Sequence, residues 1–357
     1  MRPIIIASTA AYSGKSGVAL SLIRELVARG VRVGYFKPYG TMPVEVGGVL
    51  TDKDAAYINS TLPSPAPIEA VCPVVRTQAL VEDVLAHRLD DVKPTVVRAA
   101  QVCGSGHDVL VVEAPWDLSQ GSSIGVSAPE VAEMLEAKVV LIDRPSGMAD
   151  LPDAIVCERS RLGDRLAGVI FNAVLEHTAD FIARRTTPFL SSVGVPVFGA
   201  VPFDPLLSSV TVQEIADELG GTVLTAHDSL DLPVETFMVG AMGQEKALRF
   251  FRRKANKAVV TGGDRSDVQL AALETSTRCI VLTGNMPPSS IVMSRAEELG
   301  VPMVMVEHDT LTAVERLEGL FGHTRLHDAA KVDTMHRIFI ASVDVDRMLA
   351  ACGIPQD

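Results

Sequence analysis

The chain has 357 residues, more than one hydrophobic core usually serves, and its formal charge of −12 at pH 7 works against non-specific attraction to nucleic acid or an anionic membrane. A hydrophobic fraction of 47% with only 4% aromatics points to Val/Leu/Ile/Ala strands and helices packed in layers, not to an aromatic-rich β-sandwich. Five cysteines form no C-x-x-C pair, the N-terminus is too short for a signal segment, and no apolar run reaches membrane-spanning length; a cytoplasmic protein is expected.

The first element is "PIIIAS", a strand that enters a small-residue loop and then Gly14-Lys15-Ser16 at the mouth of an apolar helix. "VRVGYFKP" follows, then the proline-rich "STLPSPAPIEAVCPVV", read as a non-helical crossing over the sheet's edge. "DVLVVEAP", "KVVLIDR", "AGVIFNAV" and "PVFGAVPF" continue the alternation of short apolar runs with amphipathic segments, the signature of a parallel sheet covered on both faces. Around "LTAHDSLDLPVETF" the pattern pauses, which places a domain boundary between about Leu224 and Glu235. A shorter α/β series resumes with "KAVVTGG", "RCIVLTGN" and "VPMVMVEHD", with helices over Asp267 to Thr275, Ser289 to Leu299 and Leu311 to Phe321. The tail from Asp328 to Leu349 reads as helical. The predicted organisation is a larger α/β domain over 1–226, a smaller α/β domain over 235–326 and a helical tail over 327–357.

Gly14-Lys15-Ser16 between a strand and a helix is the ending of a phosphate-binding loop, whose lysine reaches the β- and γ-phosphates and whose serine sits on Mg²⁺. The strict G-x-x-x-x-G-K-[ST] pattern puts Thr9 where glycine belongs, so an ordinary helix cap beside an exposed lysine is the other reading. Lys37 stands at the carboxyl edge of the second strand, either as a solvated strand-end charge or, since ligands of doubly wound sheets bind at that edge, as a second lysine for the same phosphates. Asp52 and Asp54 precede a helix; N-capping explains one of them well. Glu113 closes a buried strand beside the loop, the position of a Mg²⁺ ligand. The cysteines and histidines show no metal or nucleophile spacing. Trp116 either lines a pocket or simply packs.

Together, Ser8 through Ser16, "FKP" at Lys37, "KDAAYI" at Asp54, "VVEAP" at Glu113, "GVIFNAV" at Asn172 and "VFGAVPFDP" resemble dethiobiotin synthetase and its relatives. These include the cobyrinic acid synthases and the N-terminal domain of long phosphate acetyltransferases. In that family five residues separate the loop's glycines, so the first falls at Ser8. The resemblance implies a P-loop NTPase fold, α/β with a doubly wound, mostly parallel sheet, that uses ATP and Mg²⁺. Lys15, Lys37 and Glu113 would be catalytic, with the lysines on phosphate and substrate carboxylate oxygens. Ser16, Asp54 and Glu113 would hold Mg²⁺. Ser8, Ser13, Gly14, Lys15, Ser16 and Gly17 would surround the nucleotide, Asn172 would read the adenine edge, and Gly199 to Asp204, with Pro202, would close around the base.

The second unit, "NKAVVTGGDRSDVQLAALETSTRCIVLTGNMPPS", resembles the DRTGG domain that accompanies this ATPase domain in phosphate acetyltransferases, most specifically at Thr261 to Asp267 and Thr283 to Pro288. The two resemblances cover roughly residues 3 to 325, and the chain ends where a phosphate acetyltransferase would begin its catalytic domain. Gly262-Gly263 and Gly284 place flexible turns at one sheet edge. Asp264 and Arg265 either read a ligand or pair with each other across a dimer; turn glycines with a structural ion pair are the alternative. Two functions follow from the resemblance. One is γ-phosphoryl transfer from ATP to a small-molecule carboxylate or carbamate, or ATP hydrolysis. The other is nucleotide sensing that regulates a partner enzyme of acetyl-phosphate or acetyl-CoA metabolism. A homodimer is expected.

Overall fold

The computed structural model describes residues 1–145, 147, 151–322 and 328–354. Eight strands belong to the first unit: β1 (Arg2–Ser8), β2 (Val33–Phe36), β3 (Pro43–Val46), β4 (Val49–Asp52), β5 (Val109–Glu113), β6 (Lys138–Asp143), β7 (Leu166–Val174) and β8 (Val197–Pro202). Six of them form one parallel sheet in the order β2-β5-β1-β6-β7-β8. Ile4 to Ser8 of β1 and all of β5 are buried, which is why these strands read as unbroken apolar runs and not as alternation. Parallel strands deliver all their carboxyl ends to one edge. The registers Ile6 to Glu113, Ser8 to Ile142 and Asp143 to Phe171 line up Ser8, Glu113, Asp143 and Asn172 along it, and Lys37 directly follows β2.

Strands β3 and β4 make a separate antiparallel hairpin that Gly47 and Gly48 turn, with φ of 59° and 81°. A two-residue hairpin turn with positive φ at both positions suits glycine, and this one carries the chain back to Asp52. The proline-rich crossing contains a short helix, Ile68–Val71, and Val75 bridges Gly40.

Two compact units emerge, and they part between Phe203 and Asp204, about twenty residues before the expected boundary. The reason lies in one buried helix and one short strand pairing. The helix Val212–Leu219 buries Val212, Ile215, Ala216 and Leu219 with Val260, Val281 and Val304, so it belongs to the second core. The polar segment is no linker either, because β9 (Val210–Thr211) pairs across it with β11 (Pro233–Val234). The tail is likewise not a separate segment. The helix Ala329–Ser342 packs on α1 (Lys15–Ala28) and β8, and Val343 bridges Gly199, so the C-terminal segment completes the first unit.

In the second unit β12 (Thr236–Val239), β13 (Lys257–Gly262), β14 (Thr277–Thr283) and β15 (Met303–Met305) are parallel, and β10 (Thr222–Val223) closes the edge antiparallel to β15. Its helices Ser266–Leu273, Ser290–Glu298 and Thr310–Gly322 stand where the periodicity predicts them. Two apolar clusters form its cores, one around Ala258 and Val281 and one around Val259 and Ile280. Among the described residues no helix is long and apolar enough to cross a membrane.

Candidate active site

Gly14 caps α1 with φ of 89°, and a Cβ there would lie 2.0 Å from Asn172 Nδ2. Only glycine satisfies both the backbone and the contact. The same Asn172 amide donates to the Ser13 carbonyl at 2.8 Å, so the end of β7 fastens the end of the loop. Its beginning is fastened by Thr9, whose hydroxyl donates to Asp143 Oδ1 at 2.6 Å. Buried Ser13 closes the loop on itself through the Ala10 carbonyl at 2.8 Å, and Gly17 lies buried in the first helical turn.

Lys15 Nζ donates to Ser8 Oγ and to the Trp116 carbonyl, each at 2.7 Å. The hydroxyl at the position of the family's glycine is therefore a seat for the loop's own amine. Among the described residues Lys15 makes no ion pair. Burial lowers its pKa to about 8; the charge of Lys37 adds to that, and Glu113, Asp117 and Asp54 oppose it.

Glu113 is buried and fully engaged. Its Oε1 accepts from Ser16 Oγ at 2.8 Å and its Oε2 from Tyr35 Oη at 2.9 Å, while Lys37 Nζ stands 3.6 Å from Oε1. Lys37 donates to Asp52 Oδ1 at 2.9 Å. Burial alone would lower the Lys37 pKa, but the carboxylates of Glu113, Asp52 and Asp54 outweigh it and hold the group above the ordinary lysine range. The two lysines thus differ: Lys37 is a fixed cation, and Lys15 titrates close to neutral pH.

Asp52 carries more than the sequence suggested. Its Oδ1 also accepts from the Asp54 and Ala55 N–H groups, capping α2 (Lys53–Ser60), and its Oδ2 accepts from the N–H groups of Thr41 and Met42. Asp54 itself sits half-buried in the first turn of α2 and acts on both lysines through its charge. Among the described residues no group of three His, Cys, Asp or Glu side chains gathers as a metal site. Mg²⁺ on a nucleotide needs only one or two carboxylates, its other positions going to water and phosphate oxygens. Ser16 Oγ and Glu113 Oε1 are hard oxygen donors side by side and fit that demand.

Pro202 is exposed on edge strand β8, separated from β1 by β6 and β7, and is paired with Val174. Gly199 faces the backbone of Ser342, whose carbonyl oxygen lies 2.1 Å from where a Cβ would stand. A cavity of about 180 Å³ opens at the same edge, among Asp143, Pro145, Ile155, Phe171, Phe181 and Ile182. The Trp116 ring packs 5.9 Å from that of Tyr12, and its backbone N–H donates to Gln120 Oε1.

In the second unit Arg265 pairs with Asp267 at 3.1 Å and donates to the Met242 carbonyl, and Asp264 acts on it through its charge. Gln269 Nε2 donates to the carbonyls of Gly262 and Gly263, fixing the double-glycine turn from the helix that follows it.

A family model described as an AAA domain matches residues 2–211, more than half of the chain, and one described as a DRTGG domain matches residues 214–320. Among curated proteins, phosphate acetyltransferase of Pseudomonas aeruginosa is 24% identical over 386 residues, covering 100% of this chain and 53% of the relative. The enzymes of that name from Pseudomonas putida (24%, 100% of this chain and 53% of the relative) and Salmonella typhimurium (25%, 87% and 47%) are similar too. The chain spans about half the length of these relatives, and its order of domains matches the expectation from the N-terminal half of long phosphate acetyltransferases.

Proposed function

Because the chain belongs to the AAA-domain family, with a P-loop unit followed by a DRTGG domain, we propose that its first unit binds Mg-ATP and transfers the γ-phosphoryl group to a small-molecule carboxylate or carbamate. Without an acceptor the same site would hydrolyse ATP. The observation that carries this reading is the buried cluster in which Ser16, Tyr35 and Lys37 converge on the single carboxylate of Glu113, with Lys15 beside them on neutral oxygens only. Burying two ammonium groups is costly unless something negative is met there. Lys37 meets two carboxylates of the chain; Lys15 meets none, and a phosphate is the anion that fits it.

Phosphoryl transfer asks little covalent chemistry of a protein and much charge neutralisation. Lys15 turns from Ser8 to the phosphate oxygens. Lys37, held by Asp52, steadies the incoming oxygen. Ser16 and Glu113 would hold Mg²⁺, which when bound neutralises charge on the β- and γ-phosphates. The loop's N–H groups and the start of α1 receive the rest. An acceptor oxygen forms its bond to Pγ as the Pγ–O bond to the β-phosphate breaks, ADP departs, and the mixed anhydride is captured by an amine or water. Asn172 gives one N–H to Ser13, leaving its other N–H and Oδ1 for an adenine edge.

A regulatory reading rests on the DRTGG domain that follows the P-loop unit: the chain would sense nucleotide and act on a partner enzyme, as a homodimer. Phosphate release, with and without a panel of small carboxylic acids and beside light scattering at matched nucleotide, separates the two. Acid-stimulated release lost by orders of magnitude in Glu113→Gln, with nucleotide still bound, supports transfer. Negligible release under every condition, with ATP-dependent assembly, would establish the regulatory reading instead.

A further inference from the structure

Arg76 stands apart among the cations near this site. Its N–H donates to the Gly40 carbonyl at 2.8 Å, so it is anchored to the turn whose next two N–H groups, those of Thr41 and Met42, hold Asp52. Its guanidinium lies over the Trp116 ring, 5.8 Å from the centroid, and the carbonyl of that same Trp116 seats Lys15. Arg76 is thus tied on one side to the Lys37–Asp52 pair and on the other to the resting place of Lys15. Its side chain is exposed and, among the described residues, makes no ion pair.

A guanidinium with one face on an indole keeps its in-plane N–H groups for a planar, two-oxygen partner. Within the transfer reading on which this rests, Lys15 is committed to phosphate and Lys37 to Asp52, Glu113 and the reacting oxygen. A second negative group on the acceptor would find Asp52, Asp54 and Glu113 nearby, and repulsion unless a further cation receives it. We propose that the acceptor is a small dicarboxylic acid whose non-reacting carboxylate is bound by Arg76 against Trp116. The reacting carboxylate oxygen forms the bond to Pγ, the bond from Pγ to the ADP oxygen breaks, and no proton or further reactant is required.

The test uses the full chain with Mg²⁺, ATP or ADP, and matched mono- and dicarboxylic acids of three to six carbons. Trp116 is the chain's single tryptophan, so its emission reports binding beside Arg76 directly, without turnover. Dicarboxylates should shift that emission in the presence of Mg-ADP and stimulate phosphate release from Mg-ATP. Arg76→Gln should raise the acid concentration for half-effect tenfold or more, with ATP affinity unchanged; Arg76→Lys, which keeps the charge but not the fork, should fall between. Monocarboxylates as effective as dicarboxylates, identical responses of wild type and Arg76→Gln, or no response to any acid while ATP still binds would each overturn the proposal and leave the nucleotide site standing. Loss of ATP binding in the wild type itself would instead remove the transfer reading, and this proposal with it.

Discussion

The free site should take up a proton when it takes up nucleotide. With a pKa of about 8, the Lys15 ammonium is mostly charged at pH 7 and mostly neutral at pH 9, whereas beside phosphate it must be charged at both. Linkage converts this directly: the apparent affinity is reduced by the fraction of sites already protonated, about nine-tenths at pH 7 and about one-tenth at pH 9. Mg-ATP should therefore bind about tenfold more weakly at pH 9 than at pH 7, a cost of about 1.4 kcal/mol. Lys37 contributes nothing to this slope, because its carboxylate neighbours keep it charged throughout. Folding stability should move the other way. A lysine lowered in the folded state binds fewer protons than in the unfolded chain between about pH 8 and 10.5, so its share of stability rises with pH across that window. Titration calorimetry at pH 9 in buffers of different ionisation enthalpy should show close to one proton taken up per nucleotide, falling to about a tenth at pH 7. Equal affinities with no proton uptake at pH 9 would mean that Lys15 is already charged in the free site, and the argument from its uncompensated burial would fail.

Asp52→Asn removes the charge that holds Lys37 and one of two acceptor oxygens serving four backbone N–H groups; it should cost about 3–5 kcal/mol in chemical denaturation, with an unchanged denaturant slope. The Asn172 donor and acceptor suit the N6/N7 edge of adenine and not the O6/N7 edge of guanine, so ATP should outcompete GTP in a displacement assay; a GTP preference would take Asn172 out of base reading.

What could be read in advance was set by local pattern. Glu113 and Lys37 stand at the ends of apolar runs, and an end of a buried parallel strand is a fixed place in space. Gly14-Lys15-Ser16 likewise announces the start of a helix. The partners of these groups were hidden because long-range closure brings them in. Tyr35 reads as one more apolar strand residue, yet its hydroxyl meets Glu113 across 78 positions. The Gly47-Gly48 turn decides that Asp52, and not Asp54, faces Lys37, and Arg76 reaches Trp116 only after the proline-rich crossing has folded back. The misplaced domain boundary has the same origin. Two-residue strands such as β9 and β11 carry no periodicity, and no local signal says that a C-terminal helix returns to the first sheet.

That return sets an order of events during synthesis. The helix Ala329–Ser342 packs on α1, the helix that begins with Lys15 and Ser16, and Arg2 hydrogen-bonds to the Gly353 carbonyl. The phosphate loop leaves the ribosome roughly 300 residues before the brace behind its helix. At roughly 5–20 residues per second the interval is about 15–60 seconds, long enough for the second unit to fold while the first still lacks a wall. A nascent chain stalled before residue 329 should therefore expose the apolar flank of α1 to chaperones, and nucleotide that binds the loop early would act as a folding ligand before any chemistry begins.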